Sequence, residues 1–472
     1  MSSEDKPFWA TLGDAGDAVA LRHPESGQLW SYRCLAQVVA EVRAFAARSP
    51  RGVAFVFGEN DFGGIASYLG CLMAGHAVYL LSTSIHHPSV NGLIGRYRPE
   101  LILSRLFAPE VALDGNYSSV PGVCGYQAYM RWRCEDPPPD PDLALLLSTS
   151  ASTGNPKTVR ISRRALAASV GQVIGALEIA PCDHAVTSLP FTHVYGLSMV
   201  NSHLAAGACI SLEKRSVADP GFWRARAGSP WSTLAGVTVT YELMRQRGVD
   251  AGTLGGIRKL LHSGSRMPAD VFSWLYSRAC VSEAYIYLMY GQTEACGRMS
   301  VLQPKMLPAL ATSVGKSVSG GQIAIDGEQE ILYSGPNVML GYARGRADLS
   351  AGDEMRGLLH TGDHGYQDSD GQLFVTGRRD RTCKMFGQRI CLDDIEEFLR
   401  DVSPIAAISH GDHILLFSEA AESDLLGKLV AMGKTFRLPP QTFVLRRIES
   451  LPRTEAGKVC YRDLIQETAD RA

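Results

Sequence analysis

The chain has 472 residues, 45% of them hydrophobic and 20% charged, with a formal net charge of −2. That length exceeds what one hydrophobic core usually spans, so at least two domains are expected, and the near-zero charge excludes a bulk attraction to nucleic acid or another polyanion. The opening "MSSEDKPFWATLGD" lacks a basic region followed by an apolar core, and apolar runs elsewhere are interrupted well short of membrane-spanning length, so neither a secretory signal nor a membrane span is expected.

In chain order, alternating elements come first. "GVAFVFG" is a short apolar strand, "DFGGIASYLGCLMAG" has helical spacing up to Gly75, "HAVYLLS" is a strand, "PSVNGLIGRYR" a helix and "PELILS" a strand. Strands alternating with helices predict a parallel, doubly wound α/β sheet. The Pro-rich "EDPPPDPD" (Glu135 to Asp142) is a linker, because proline excludes both helix and central strand. The strand "LALLLSTS" follows, then a hydroxyl-rich loop and the helix-like "SRRALAASVGQVIGAL". From about 313 to 342 the text turns to short β-like runs, "GGQIAI" and "GEQEILYSG". The stretch from Thr361 to Gly387 reads as a hairpin turning at Asp370-Gly371 and leading into a smaller domain. The boundary is placed at Asp380, giving domains 1–379 and 380–472. Eleven cysteines are scattered with no C-x-x-C pair, which reads as reduced thiols in a cytoplasmic protein rather than a disulfide or zinc framework.

The loop "LSTSASTGNPKTV" concentrates donors. Ser148, Thr149, Ser150, Ser152, Thr153 and Gly154 offer hydroxyls and consecutive backbone N–H groups, which make an anion nest. Lys157 adds a point charge, and a helix directly after it would aim its N-terminus at the same anion. Asn155 and Pro156 separate Gly154 from Lys157, so this is not a Walker A loop. Read alone, it is equally a polar surface turn. "MYGQTEACG" follows the apolar "AYIYL" and places Glu294 where a carboxylate can hold Mg²⁺, Thr293 beside a phosphate, and Tyr290 with Gly291 near a base ring. Asp363 in "HTGDHG" is placed to accept from ribose hydroxyls. "GRRDRTCKMFGQRI" is a basic turn holding Asp380, and "LPRTEAGKVCYRDL" puts Lys458 in a loop before a helix. Singly, each of these is also an ordinary edge, turn or solvated charge.

Together and in this order the five segments resemble the adenylate-forming superfamily, which holds acyl- and aryl-CoA synthetases, the adenylation domains of peptide synthetases and firefly luciferase. The resemblance runs from about residue 50 to the end. "SVGKSVSGGQIAI" and "SGPNVMLGY" also match family connectors. It implies a large N-terminal domain with doubly wound sheets and a β-rich part, plus a small mobile α+β C-terminal domain. By position, Thr149, Ser150, Ser152, Thr153, Gly154 and Lys157 would cradle the β- and γ-phosphates of ATP. Thr293 would contact the α-phosphate and Glu294 the Mg²⁺. Ser263, Gly264 and Ser265 would line adenine with Tyr290 and Gly291, while Asp363 and Arg378 would hold the ribose. Lys458 would serve adenylation, Asp380 would be the hinge, and Lys384 and Gly387 would serve the thiol step, where glycine gives a pantetheine arm room to pass.

The implied activity is ATP-dependent activation of a carboxylic acid through an acyl-AMP with pyrophosphate release, then thioester formation with CoA. A ligase loading an acyl carrier protein and a silent nucleotide-binding regulator are the alternatives. The joint presence of Glu294, Lys384 and Lys458 argues against the regulator. The chain departs from the family at Ala151 and Thr158, which replace loop glycines, at Arg163 or Arg164 where many members carry His, and at Cys383, which replaces an aliphatic residue. "LPFTHVYGLSM" resembles the carboxylate-side segment, so His193 would position the acid. Thr192 and His193 stand where amino-acid-activating members carry an Asp, which disfavours an α-amino acid. A pocket built from Tyr195, Val239, Met267 and Met289 or their neighbours predicts an aryl or medium acyl acid.

Overall fold

The computed structural model of the chain describes residues 7–85, 87–105, 116–149, 157–226, 228–386, 388–453 and 459–470. They fall into two compact units, one made of residues up to 149, 157–323 and 333–359, the other of 324–332 and 360 onward.

The first unit is built on two sheets. One has eight strands in the order Gly341–Ala343, Thr158–Ser162, Leu143–Ser148, Ala77–Ser82, Val53–Gly58, Leu101–Ser104, Tyr126–Arg131 and Tyr117–Val123. Its central four strands are parallel, and antiparallel strands close both sides. Val53–Gly58 and Leu101–Ser104 are buried at every position, which is why they read as unbroken apolar runs rather than alternating ones. Helices Phe62–Met73 and His87–Tyr97 connect the parallel strands where the spacing predicted them. Two helix starts have a chemical cause: at Phe62–Met73 the Asp61 carboxylate accepts from Gly64 N–H at 2.7 Å, and at Arg163–Leu177 the Ser162 hydroxyl accepts from Ala165 N–H at 2.9 Å. Arg163, one of the family departures, donates to the carbonyl of Leu72 at 2.9 Å and so ties its helix to the end of the neighbouring one.

The second sheet has nine strands, in the order Lys316–Ser317, Ser300–Leu302, Tyr285–Tyr290, Lys259–His262, Thr233–Gly236, His184–Val186, Cys209–Ser211, Val19–Arg22 and Leu29–Ser31. Pairing is parallel from Tyr285–Tyr290 through Val19–Arg22. Strand Val19–Arg22 comes from the N-terminal stretch, and Leu21 faces Ile210.

At the amino ends of these strands, the buried Asp183 carboxylate receives Lys259 Nζ at 2.7 Å, Arg258 Nη2 at 2.8 Å, the Ser232 hydroxyl at 2.9 Å and Ala180 N–H at 3.0 Å. Burial alone would raise its pKa, but these donors outweigh burial and hold it well below the usual carboxylate range. Asp183→Ala leaves Lys259 buried without its partner and is expected to cost about 3–5 kcal/mol in denaturant unfolding. Because the folded pKa lies below the unfolded one, the carboxylate's contribution is complete above roughly pH 4 and fades as pH falls further. Asp183→Asn should therefore flatten the acid limb of the stability–pH curve, and an unchanged limb would contradict this assignment.

The second unit contains a four-stranded sheet, ordered Gln322–Ile325, Glu330–Ser334, Leu358–Gln367, Leu373–Arg378, and a three-stranded sheet of Ile405–His410, His413–Ser418 and Phe443–Arg447. The hairpin expected at Asp370-Gly371 joins Leu358–Gln367 to Leu373–Arg378 in antiparallel register. Helices Leu392–Leu399, Glu422–Phe436 and Tyr461–Asp470 complete the α+β body. Buried Arg381 is its anchor: Nε donates to Asp393 at 2.8 Å, Nη1 to the Ala407 carbonyl at 2.6 Å, and the guanidinium lies 3.8 Å from the Tyr461 ring centroid. All eleven cysteines are free thiols. Among the described residues no helix is long and apolar enough to cross a membrane.

Candidate active site

In the first unit the hydroxyl-rich loop is closed at its base as a β-hairpin. Strand Leu143–Ser148 pairs antiparallel with Thr158–Ser162, Thr149 N–H donates to the Lys157 carbonyl at 2.9 Å, and Lys157 N–H returns a 3.3 Å bond to the Thr149 hydroxyl. This corrects one expectation: a strand, not a helix start, follows Lys157, and the helix begins only at Arg163. The physical reason is Thr158. Its buried hydroxyl lies 2.9 Å from those of Tyr79 and Tyr97, so the residue standing where the family writes glycine is a pinned strand position. Ser150, Ser152, Thr153 and Gly154 lie outside the described residues, as does Ala151.

Lys157 does not stand alone. Its ammonium sits 4.7 Å from the centroid of the Tyr342 ring, and the Tyr342 hydroxyl donates to Glu294 Oε1 at 2.9 Å. Tyr342 lies on strand Gly341–Ala343, which pairs antiparallel with Thr158–Ser162. Glu294 follows the buried strand Tyr285–Tyr290 on the short turn Thr293–Ala295, and its carbonyl is held by Met339 N–H at 2.8 Å. One aromatic ring therefore joins a cation and a carboxylate from distant segments. Tyr342 was legible only as the last residue of the connector "SGPNVMLGY". Glycine is required at 291, because a Cβ there would lie 2.7 Å from the backbone nitrogen of Arg298. Tyr290 and Thr293, half-buried, flank it.

Ser263, Gly264 and Ser265 leave the carboxyl end of strand Lys259–His262. The Ser265 and Thr238 hydroxyls are 2.8 Å apart, and Thr238 also meets His262 Nε2 at 3.1 Å. Burial pushes the His262 pKa down to about 3, so it is neutral and structural. His193 is half-buried and caps helix Val194–Ala205 with its backbone, its carbonyl accepting from Leu197 N–H at 2.8 Å. Of the expected pocket residues, Tyr195 and Met289 share one buried cluster, Met267 packs in another, and Val239 is half-buried on helix Thr238–Gln246.

The second unit gathers its own set. Asp363, buried on Leu358–Gln367, faces Arg378 across the hairpin, with Arg378 Nε 3.2 Å from Asp363 Oδ1 and 3.6 Å from Asp380 Oδ1. A cation between two carboxylates can orient one of them toward vicinal hydroxyls. Lys384 is exposed on Thr382–Met385, which pairs with Gln388–Cys391. Gly387 and Lys458 lie outside the described residues. The residues flanking Lys458's loop are paired, Arg453 bridging Val459 and Cys460 N–H donating to the Pro452 carbonyl at 2.7 Å.

Comparison with known proteins adds a family. The profile of the AMP-binding enzyme family matches residues 8–343. An indoleacetate–CoA ligase of Aromatoleum aromaticum is 27% identical over 415 residues, 81% of this chain and 79% of the relative. An oxalate–CoA ligase of Arabidopsis thaliana is 27% identical, covering 97% and 89%. The fold is similar to that of the O-succinylbenzoate coenzyme A synthetase of Bacillus subtilis in complex with ATP and magnesium ion, with TM-score 0.77, 21% identity, and 98% and 99% of the two chains covered.

Proposed function

We propose, since the chain belongs to the AMP-binding enzyme family, that it is an AMP-forming acid–thiol ligase converting a small carboxylic acid into its CoA thioester through an acyl-AMP. Relatives spanning four fifths or more of the chain are named as CoA ligases, one for indoleacetate and one for oxalate, which supports CoA as the thiol. The observation that carries the reading is the group Lys157–Tyr342–Glu294, a cation over the ring and a carboxylate at the hydroxyl of one tyrosine.

That group suits a polyphosphate and its counterion. Glu294 is half-buried and Tyr342 occupies only one of its carboxylate oxygens, leaving the other for a hard cation that keeps phosphate oxygens and water as further ligands. Mg²⁺, when bound, would neutralise charge on the triphosphate. Thr149 and Lys157 hold the β- and γ-phosphates, and Thr293 the α-phosphate. An acid carboxylate oxygen attacks the α-phosphorus in line, the bond to the bridging oxygen breaks, and pyrophosphate leaves. Lys458 meets the negative charge developing at the α-phosphate, where a preorganised cation accelerates most. In the second step the thiolate attacks the acyl carbon and AMP departs. No side-chain nucleophile is used, which leaves the eleven thiols without a catalytic task. Asp363 and Arg378 hold the ribose, His193 positions the acid, and residues 380–472 turn about Asp380 between steps so that Lys384 replaces Lys458.

The test is acid-dependent exchange of labelled pyrophosphate into ATP across a panel of acids, followed by product analysis with CoA. AMP, pyrophosphate and thioester in equal amounts are expected. ADP formation would overturn the proposal.

A further inference from the structure

The mechanism above leaves one buried ion unused. Arg298 is fully buried, and its Nε, Nη1 and Nη2 have no hydrogen-bond partner among the described residues. No carboxylate among them lies within ion-pair distance. The other buried arginines among the described residues are all paired: Arg131 with Asp136 at 2.6 Å, Arg160 with Glu354, Arg346 with Glu100 at 2.7 Å and Arg381 with Asp393 at 2.8 Å. An uncompensated buried guanidinium is costly, and arginine does not escape the cost by losing its proton. Burial works against its charge here, with only the Tyr195 phenol nearby to favour it.

Its position is informative. The guanidinium stacks 4.8 Å from the Tyr195 ring centroid. Tyr195 lies two residues after His193, and its hydroxyl donates to the Leu261 carbonyl at 3.1 Å, near the carboxyl end of a parallel strand. Arg298 itself follows Glu294 by four residues, where the chain turns back from strand Tyr285–Tyr290. Asn337 Nδ2 holds the Ala295 and Arg298 carbonyls, each at 2.9 Å, so the backbone bearing the guanidinium is braced. Ligands of open α/β sheets bind at the carboxyl ends of the strands, and a planar guanidinium matches a carboxylate in two parallel hydrogen bonds.

We infer that Arg298 is the counterion of a second carboxylate on the acid, so that the substrate class is a dicarboxylate activated at one end. This rests on the ligase reading above and narrows it: one carboxylate reacts while the other pairs with Arg298.

The test uses matched pairs in which only the far carboxylate is neutralised: succinate and succinamate, glutarate and glutaramate, terephthalate and terephthalamate. In pyrophosphate exchange the intact protein should favour the diacid of its best pair by about 100-fold in kcat/KM, the scale of an unpaired buried charge. Arg298→Gln should erase that preference, mainly through KM, and Arg298→Lys should keep part of it. A best substrate without a second anion, or a preference unchanged in Arg298→Gln, would overturn the inference. If Arg298→Gln does not fold, the wild-type preference and Arg298→Lys decide. If no acid supports exchange, the ligase reading has failed instead. The pairing is then read from thermal unfolding with each diacid alone, where a rise in wild type that is smaller in Arg298→Lys supports it and no rise in wild type overturns it.

Discussion

Glu294→Gln is expected to lower acid-dependent pyrophosphate exchange by about 100-fold or more, the scale of losing one preorganised electrostatic contact in a transition state. The substitution keeps the shape of the side chain and its bond from the Tyr342 hydroxyl, which can be accepted by an amide oxygen. It removes the negative charge proposed to hold the divalent cation. The defect should therefore shrink as Mg²⁺ is raised, while the thermal midpoint stays near wild type because Glu294 is only half-buried. Tyr342→Phe is the control, keeping the ring under Lys157 and the charge on Glu294 while losing one hydrogen bond, and should cost far less. Exchange in Glu294→Gln equal to wild type at limiting Mg²⁺ would remove Glu294 from the metal role.

Lys458→Ala and Lys384→Ala are expected to fail in opposite halves of the reaction. Lys458→Ala should lose exchange by about 100- to 1,000-fold, because in the proposed mechanism its cation meets charge that exists only during attack on phosphorus. Supplied with preformed acyl-AMP and CoA, it should still make thioester. Lys384→Ala should exchange normally and form thioester slowly. The proposed basis is steric: a lysine seated at the α-phosphate would leave no path for a thiol, so the scheme proposes two arrangements of the small domain for the two steps. Arg381 gives the proposed pivot a definite end. From Arg381 onward the chain is fastened to Asp393, Ala407 and Tyr461, whereas Asp380 next to it is exposed and lies 3.6 Å from the exposed Arg378. Equal loss of both half-reactions in either variant would end the two-arrangement scheme.

The local elements and the order of chemical groups were legible in the sequence. Val53–Gly58, Ala77–Ser82 and Leu101–Ser104 announce themselves as continuous apolar runs because both faces are covered, and the helix Phe62–Met73 between the first two carries its cap and periodicity within one short window. The Asp363–Arg378 pair belongs to the same class, since a hairpin of a few residues brings its own ends together. Motif order carried the family and the roles proposed for it. Tertiary structure alone decided which distant residues meet. Thr158 became a strand position because two tyrosines from other elements bind its hydroxyl, and that placed a strand where a helix start was expected. Tyr342 came to stand between Lys157 and Glu294 through the register of an antiparallel edge pair. Val19–Arg22 became part of a nine-stranded sheet through a partner almost two hundred residues away. Arg298 carries no signal in the text, and only its packing on Tyr195, with no partner anion among the described residues, sets it apart. Periodicity and capping act over a few residues and leave their marks there, whereas register and burial between remote segments are settled by the whole packing and leave none.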